Sequence, residues 1–369
     1  MEEVSLYIHI PFCRSKCFYC DFPSFAGMEY LMEDYIKALN IELDKYKDYI
    51  FNTIFIGGGT PTYLSLKSIE LLAEEIGKLN IKKGAEFTIE ANPKTVDREK
   101  LEKFKSMGVN RISIGLQSTD DKILKKLNRP HSFKDFIDSY KLIRAAGFDN
   151  VNIDIMFALP DEKLEDHMKK LEQVTALSPE HISCYSLIVE EGTYFYRLDK
   201  ENKLNLPSEE EYKKMYEETI KYLEKNGYLQ YEISNFAKKG YECRHNLVYW
   251  NLTGYIGAGL AAHSYINGRR QENTRDINQY IRGEDVVISY HDNSEKDNME
   301  EFVFLGLRKK QGISKKIFFK KFGKDIYEVY ENILKKWESL GYIIDDNGYI
   351  SLTLKGIEIS NYIMSDFIN

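Results

Sequence analysis

Over its first 225 or so residues the chain repeats one pattern, a short apolar segment followed by an amphipathic stretch. The apolar segments are SLYIHI (5–10), TIFIG (53–57), FTIEA (87–91), RISIG (111–115), VNIDIM (151–156) and HISCYSL (181–187). Amphipathic stretches such as SIELLAEEIGKL (68–79), FKDFIDSYKLIRAAG (133–147) and KLEDHMKKLEQVTAL (163–177) lie between them. Strands that alternate with helices form a parallel sheet covered by those helices, which limits the chain to a doubly wound sheet or a barrel. Glycines in SMGVN, AAGFDN and KNGYL supply helix C-cap chemistry ahead of the next strand. Polar or glycine-rich residues mark the C-terminal ends of nearly every strand: GGGTP after the second, Glu90 in the third, Gln117 after the fourth, Asp154 in the fifth. In parallel α/β folds those ends form the ligand face. The expected fold is therefore α/β, a partial (β/α)6 TIM-like barrel around a single site.

From about residue 226 the alternation stops. Residues 226–290 are rich in Gly, Asn and Tyr and are expected to form an irregular α/β extension carrying HNLVYW (245–250) and GYIGAGLAAHS (254–264). Residues 291–369 predict three helices and then a hairpin turning at Asn347-Gly348, a C-terminal α+β domain resembling a winged helix. With a net charge of −7, nucleic acid is not an expected partner; a packing or partner module is. No apolar run reaches the roughly 18–20 residues of a membrane span, and MEEVSLYIHI leads into a strand rather than a signal peptide. A cytoplasmic location is the expectation, with peripheral membrane association left open.

Three of the five cysteines, Cys13, Cys17 and Cys20, fall within the spacing CxxxCxxC. In a reducing compartment such a cluster holds a metal more often than it forms disulfides. Structural zinc takes four ligands, so zinc would have to borrow His9 or the remote Cys243 and His245. A four-iron cubane held by three thiolates instead leaves one iron open to a chelating ligand, and S-adenosylmethionine offers an amine and a carboxylate. GGGTP (57–61) is neither a dinucleotide nor a P-loop motif. It brings side-chain-free backbone close to a ligand, and its carbonyls can accept from an ammonium group. Glu90 reads either as a paired core acid or as a ligand-face acid, and Gln117 as a capping amide or a hydroxyl binder. Arg129 reads as a surface arginine or as a bidentate partner for a carboxylate. Asp154, inside an apolar strand, points to function, because buried acids are rare without partners.

YIHIPFCRSKCFYCDF, GGGTPTYL, IEANP, RISIGLQS, LNRPHS, NIDIMFALP and the terminal GYISLTLKG occur in order along nearly the whole chain. Together they resemble the radical S-adenosylmethionine superfamily, with Tyr19 as its aromatic residue before the last cysteine. Within that superfamily they resemble the branch holding oxygen-independent coproporphyrinogen III oxidase and the HemW heme chaperones. The resemblance implies a [4Fe-4S] cluster on Cys13, Cys17 and Cys20, whose reduced form cleaves the sulfonium to a 5′-deoxyadenosyl radical. It implies S-adenosylmethionine contacts from Tyr7, Gly58, Gly59, Thr60, Glu90, Gln117, Arg129, Asp154 and Ile188, with Tyr19 beside them. Arg129 would hold the methionine carboxylate, and Gln117 and Asp154 the ribose hydroxyls.

Two departures separate the chain from the oxidase. The oxidase pattern carries a further cysteine two residues after the third, where this chain has Phe22. The oxidase also carries an N-terminal extension over its active site; Tyr7 stands near the start of this sequence, so no such cover is expected. Both departures match the HemW family. HNLVYW matches the HNxxYW element proposed to bind heme there, which implies His245 as an iron ligand and Asn246, Tyr249 and Trp250 around the porphyrin. Cys243 is a competing ligand, and the bland alternative is a structural histidine beside core aromatics. Cys184 and the remaining histidines, including His263, read as structural. The expected function is a heme chaperone that binds the cluster, S-adenosylmethionine and heme and delivers heme to acceptors such as respiratory enzymes. The alternative is the oxidase, or another radical enzyme.

Overall fold

A computed structural model describes residues 1–368. All six expected strands form: β1 (Glu3–Ile10), β2 (Ile50–Gly58), β3 (Asn80–Ala91), β4 (Arg111–Gln117), β5 (Val151–Phe157) and β6 (His181–Ser186). They lie side by side in sequence order and pair in parallel throughout. Helices Met32–Asp44, Leu66–Ile76, Arg98–Ser106, Phe133–Ala145 and Leu164–Thr175 connect them, and Glu209–Lys225 follows the last. Gly108, Gly147 and Gly227 take positive φ two residues beyond helix ends, where a Cβ would be strained.

The pleat explains how these strands build both a core and a site. Leu6, Ile8, Ile54, Ile56, Phe87, Ile89, Ile112, Ile114, Ile153, Ile155 and Ile182 are buried in one cluster with helix residues such as Leu39, Leu72, Leu101, Ile143 and Leu171. Each such side chain contributes about 1.5–3 kcal/mol on burial. The alternate positions are polar and face the concave side. Register places Thr88 beside Arg111, Glu90 beside Ser113, Ser113 beside Asn152, and Asn152 beside His181. Asp154 sits between Gly115 and Ser183.

The barrel is partial. Strands Asn235–Ala237 and Leu229–Glu232 extend the sheet beyond β6 in antiparallel fashion. Beyond β1, Tyr255–Ala258 pairs in parallel, and His263–Ile266, Arg269–Asn273 and Val287–Asp292 follow as an antiparallel meander. One sheet of twelve strands results, open between its edges.

In the C-terminal region, helices Glu295–Gly306, Lys315–Phe322 and Ile326–Ser339 precede the hairpin Ile343–Asp346 and Tyr349–Leu352. Asn347 and Gly348 both adopt positive φ at its turn, as a type I′ turn requires. Two further short helices, Leu354–Glu358 and Ser360–Ser365, follow the hairpin. This winged-helix-like unit has its own core around Phe302, Phe318, Leu334 and Trp337, which continues into Tyr255 and Tyr265 of the large sheet. Among the described residues no helix is long and apolar enough to cross a membrane.

Candidate functional site

The three cysteines lie in the loop between β1 and the first long helix, and several backbone bonds fix that loop. Phe25 N–H donates to Pro11 O at 2.7 Å, and Lys16 Nζ donates to Ser24 Oγ at 2.8 Å and to Phe22 O. Phe18 N–H donates to Leu127 O, Asn128 Nδ2 to Lys16 O, and Phe195 N–H to Phe18 O. Those contacts bring the thiols against the segment that carries Arg129. On the opposite side, Gly59 N–H donates to Ile10 O and Thr60 N–H to Phe12 O, both at 2.8 Å.

Cys13, Cys17, Tyr19 and Cys20 line one side of a cavity of about 470 Å³ at the C-terminal ends of the barrel strands. Gly58, Gly59, Thr60, Glu90, Gln117, Arg129, Asp154 and Ile188 line the rest. Twelve of the residues read from the sequence thus share one cavity. The glycines are required by distance. A Cβ on Gly59 would stand 2.8 Å from Phe12 O and 3.0 Å from Cys13 Sγ, and one on Gly115 would stand 3.0 Å from Gln117 Nε2 and 3.1 Å from Arg129 Nη2. Any side chain there would displace a cysteine or a polar group of the wall.

Burial pushes the Cys13 and Cys20 thiols up from their ordinary value. Cys13 Sγ lies 3.6 Å from Thr60 Oγ1, and Arg129 Nη1 lies 3.5 Å from Cys17 Sγ. All five cysteines are free. Among the described residues no three His, Cys, Asp or Glu side chains close around a single ion. His9 supplies no fourth ligand: its Nδ1 meets Tyr7 Oη at 3.0 Å and its Nε2 meets Pro23 O at 2.8 Å. A cubane is wider than one ion and suits three thiols spread around a cavity.

Arg129 donates from Nη2 to Gly115 O at 2.7 Å and to Asn92 Oδ1. Its Nε is buried without a hydrogen-bond partner, and no carboxylate pairs with it among the described residues. A guanidinium left in that state fits an anionic ligand group such as a carboxylate. Asn92 was not read from the sequence, yet its Nδ2 donates to Thr60 Oγ1 at 2.7 Å, so one amide ties the glycine loop to Arg129.

Glu90 Oε2 accepts from Gly58 N–H at 3.0 Å. Burial, then the neighbouring Asp154 charge, pushes its carboxyl up to about 8, against the Gly58 hydrogen bond and Arg111. Asp154 Oδ2 accepts from Ser113 Oγ at 2.9 Å and Oδ1 from Asn152 Nδ2 at 2.7 Å; burial raises this acid as well. Gln117, at φ 69°, accepts through Oε1 from Tyr185 Oη at 2.9 Å. Ile188 and Phe22 stand at the cavity's rim, 64% and 61% exposed. Tyr7 is not on the wall: its hydroxyl meets His9, and its ring stacks on Phe55 at 6.2 Å. Asn92, Ser113, Asn152 and Tyr185 are the site residues that sequence reasoning missed. For Ser113, Asn152 and Tyr185 the signal was polarity at alternate strand positions, while Asn92 directly follows the end of β3.

The HNLVYW residues do not join this cavity. They form the helix Arg244–Trp250, whose first turn is held by Glu86 of β3. Glu86 Oε2 accepts from Arg244 N–H and Oε1 from His245 N–H, both at 2.9 Å, and Cys243 Sγ donates to Oε1 at 3.4 Å. His245 is 1% exposed. Its Nδ1 lies 2.7 Å from Thr53 Oγ1, its Nε2 lies 2.9 Å from Tyr249 Oη, and its ring stacks on Phe55 at 5.2 Å. Burial, then Arg111, lowers it to about 3, so the ring is neutral. The expected iron ligand therefore has both nitrogens engaged inside the protein. Asn246 is half-buried on the same helix; Tyr249 packs edge-on against Tyr255, and the Arg308 guanidinium covers Trp250 at 4.5 Å. Cys243, buried and raised to about 12, is no freer as a ligand.

A family model of the radical SAM superfamily matches residues 7–173, and one of the HemN C-terminal domain matches residues 293–359. The heme chaperone HemW of Bacillus subtilis is 39% identical over 99% of both chains. That of Lactococcus lactis is 35% identical over 99% of this chain and 97% of its own. The chain belongs to the HemW family. Coproporphyrinogen III oxidase (HemN) from Escherichia coli superposes with a TM-score of 0.85 over 99% of this chain and 90% of its own, at 22% identity. At that identity the likeness establishes a common fold for the HemW-family chain and the oxidase.

Proposed function

We propose that this HemW-family protein is a heme chaperone. In this reading it carries a [4Fe-4S] cluster on Cys13, Cys17 and Cys20, binds S-adenosylmethionine in the adjoining cavity, and passes heme to acceptors such as respiratory enzymes. One observation supports the cofactor reading above others: three free thiols open onto a cavity in which a guanidinium without a carboxylate partner stands beside Cys17. When bound, such a cluster supplies electrons and one iron with a free coordination position.

The chain's own groups do the rest. Arg129 holds the methionine carboxylate. Glu90 and the Gly58–Gly59 backbone face the ammonium end, and a cation there draws Glu90 toward its charged form. Gln117, fixed by Tyr185, and Asp154, fixed by Ser113 and Asn152, receive the ribose hydroxyls. Tyr19 and Thr60 flank the thiols, and Ile188 lies over the mouth.

The heme part rests on the family. With both nitrogens of His245 engaged, we assign the HNLVYW helix a structural role in the conformation described and leave the iron ligand to another group. The oxidase reading shares the fold, but Phe22 stands where that enzyme's pattern has a further cysteine. An anaerobic assay offering the cluster-loaded protein both heme and coproporphyrinogen separates the two. The chaperone reading expects stoichiometric heme binding, transfer to an apo-acceptor and no decarboxylation; accumulation of protoporphyrinogen would replace it with the oxidase.

A further inference from the structure

Inside the barrel a buried chain of hydrogen bonds leads from the cavity to the HNLVYW helix. Asn152 Nδ2 donates to Asp154 Oδ1 at 2.7 Å. Asn152 Oδ1 accepts from Ser183 N–H at 3.0 Å, which fixes the amide's orientation, and lies 2.6 Å from His181 Nδ1. His181 Nδ1 must therefore carry the proton, leaving Nε2 to accept from Tyr231 Oη at 2.9 Å. The Tyr231 oxygen in turn accepts from Cys243 N–H at 3.3 Å. Cys243 is the N-cap residue of the helix Arg244–Trp250.

Every donor in this series points the same way, toward the cavity carboxylate. Hydrogen bonds in such a row polarise one another, and a buried row is costly to interrupt at any member. His181 and Asn152 are 0% and 2% exposed. The far end has no slack either, because the next two amides of the helix are both held by Glu86.

We propose that His181 and Tyr231 are positioning residues that couple Asp154 to the HNLVYW helix, so that S-adenosylmethionine in the cavity and the first turn of that helix order one another. The proposal rests on the S-adenosylmethionine reading above. A ligand hydroxyl on Asp154 holds the carboxylate still and, through Asn152, His181 and Tyr231, secures the Cys243 amide. Coupling between two sites is reciprocal, so loosening the helix end weakens the ligand by the same factor.

Amide hydrogen exchange of the cluster-loaded full chain, with S-adenosylmethionine or with methionine alone, tests this. S-adenosylmethionine should slow exchange of residues 243–247 about tenfold, and methionine, which has no ribose, should leave it unchanged. Tyr231→Phe removes one oxygen; it should abolish the slowing and weaken S-adenosylmethionine by the same factor, about tenfold. Unchanged exchange in wild-type protein that binds S-adenosylmethionine overturns the coupling. Slowing by methionine alone, or a Tyr231→Phe variant that keeps both effects, does the same. Absence of binding to the wild type overturns the cofactor reading itself. Should Tyr231→Phe fail to fold, the two wild-type arms decide.

Discussion

His245 Nδ1 lies 2.7 Å from Thr53 Oγ1, across from the opposite ring nitrogen's contact with Tyr249. A fully buried, doubly engaged imidazole is part of the fold. Replacing it with alanine leaves a cavity and strands two buried hydroxyls, at a cost of about 2–4 kcal/mol. His245→Ala should therefore melt at lower temperature while retaining its heme-induced Soret shift. A folded variant that loses the shift would return the ring to the iron.

Arg129 is expected to act on the ligand rather than on the thiols. Arg129→Met should weaken S-adenosylmethionine about 10- to 100-fold, the loss of a charge-assisted bidentate contact, and leave iron content unchanged. Calorimetric titration beside iron analysis checks both. Loss of iron with retained affinity would assign Arg129 to the cysteine loop instead.

The Glu90 carboxyl makes stability depend on pH. Its ordinary value is 4.5, and burial and Asp154 raise it to about 8 in the folded chain. Between those values the folded protein keeps a proton that the unfolded chain releases. The stability this gives is full below about 4.5 and is lost as pH rises through about 8. Denaturant midpoints of the metal-free protein should fall over that window, and less steeply for Glu90→Gln. Parallel slopes for the two proteins would contradict the assignment.

How much of this was legible in the sequence follows from where the information lies. The six barrel strands are local apolar runs, so their pattern shows. The thiols, GGGTP and Gln117 lie at or just beyond strand ends, and Glu90 and Asp154 lie within strands that lead to the same face; the β/α alternation alone predicts that these ends converge. Asn152 and His181 were harder to see, because each is a polar residue in a segment whose pattern was read as apolar. The pairing of Tyr255–Ala258 with β1 was not legible, since the partners lie far apart in sequence. The role of His245 was equally hidden: HNLVYW reads the same for a ligand and for a core ring. What separates the two is Thr53, 192 residues away.

The most direct test of the cavity's assignment is the electron paramagnetic resonance spectrum of the anaerobically reconstituted, reduced protein, recorded with and without S-adenosylmethionine. A cluster on Cys13, Cys17 and Cys20 with roughly four irons per chain should give a spectrum that changes when the ligand is added, and Arg129→Met should need more ligand for the same change. A spectrum indifferent to S-adenosylmethionine, or a protein that takes up zinc in place of iron, would contradict it.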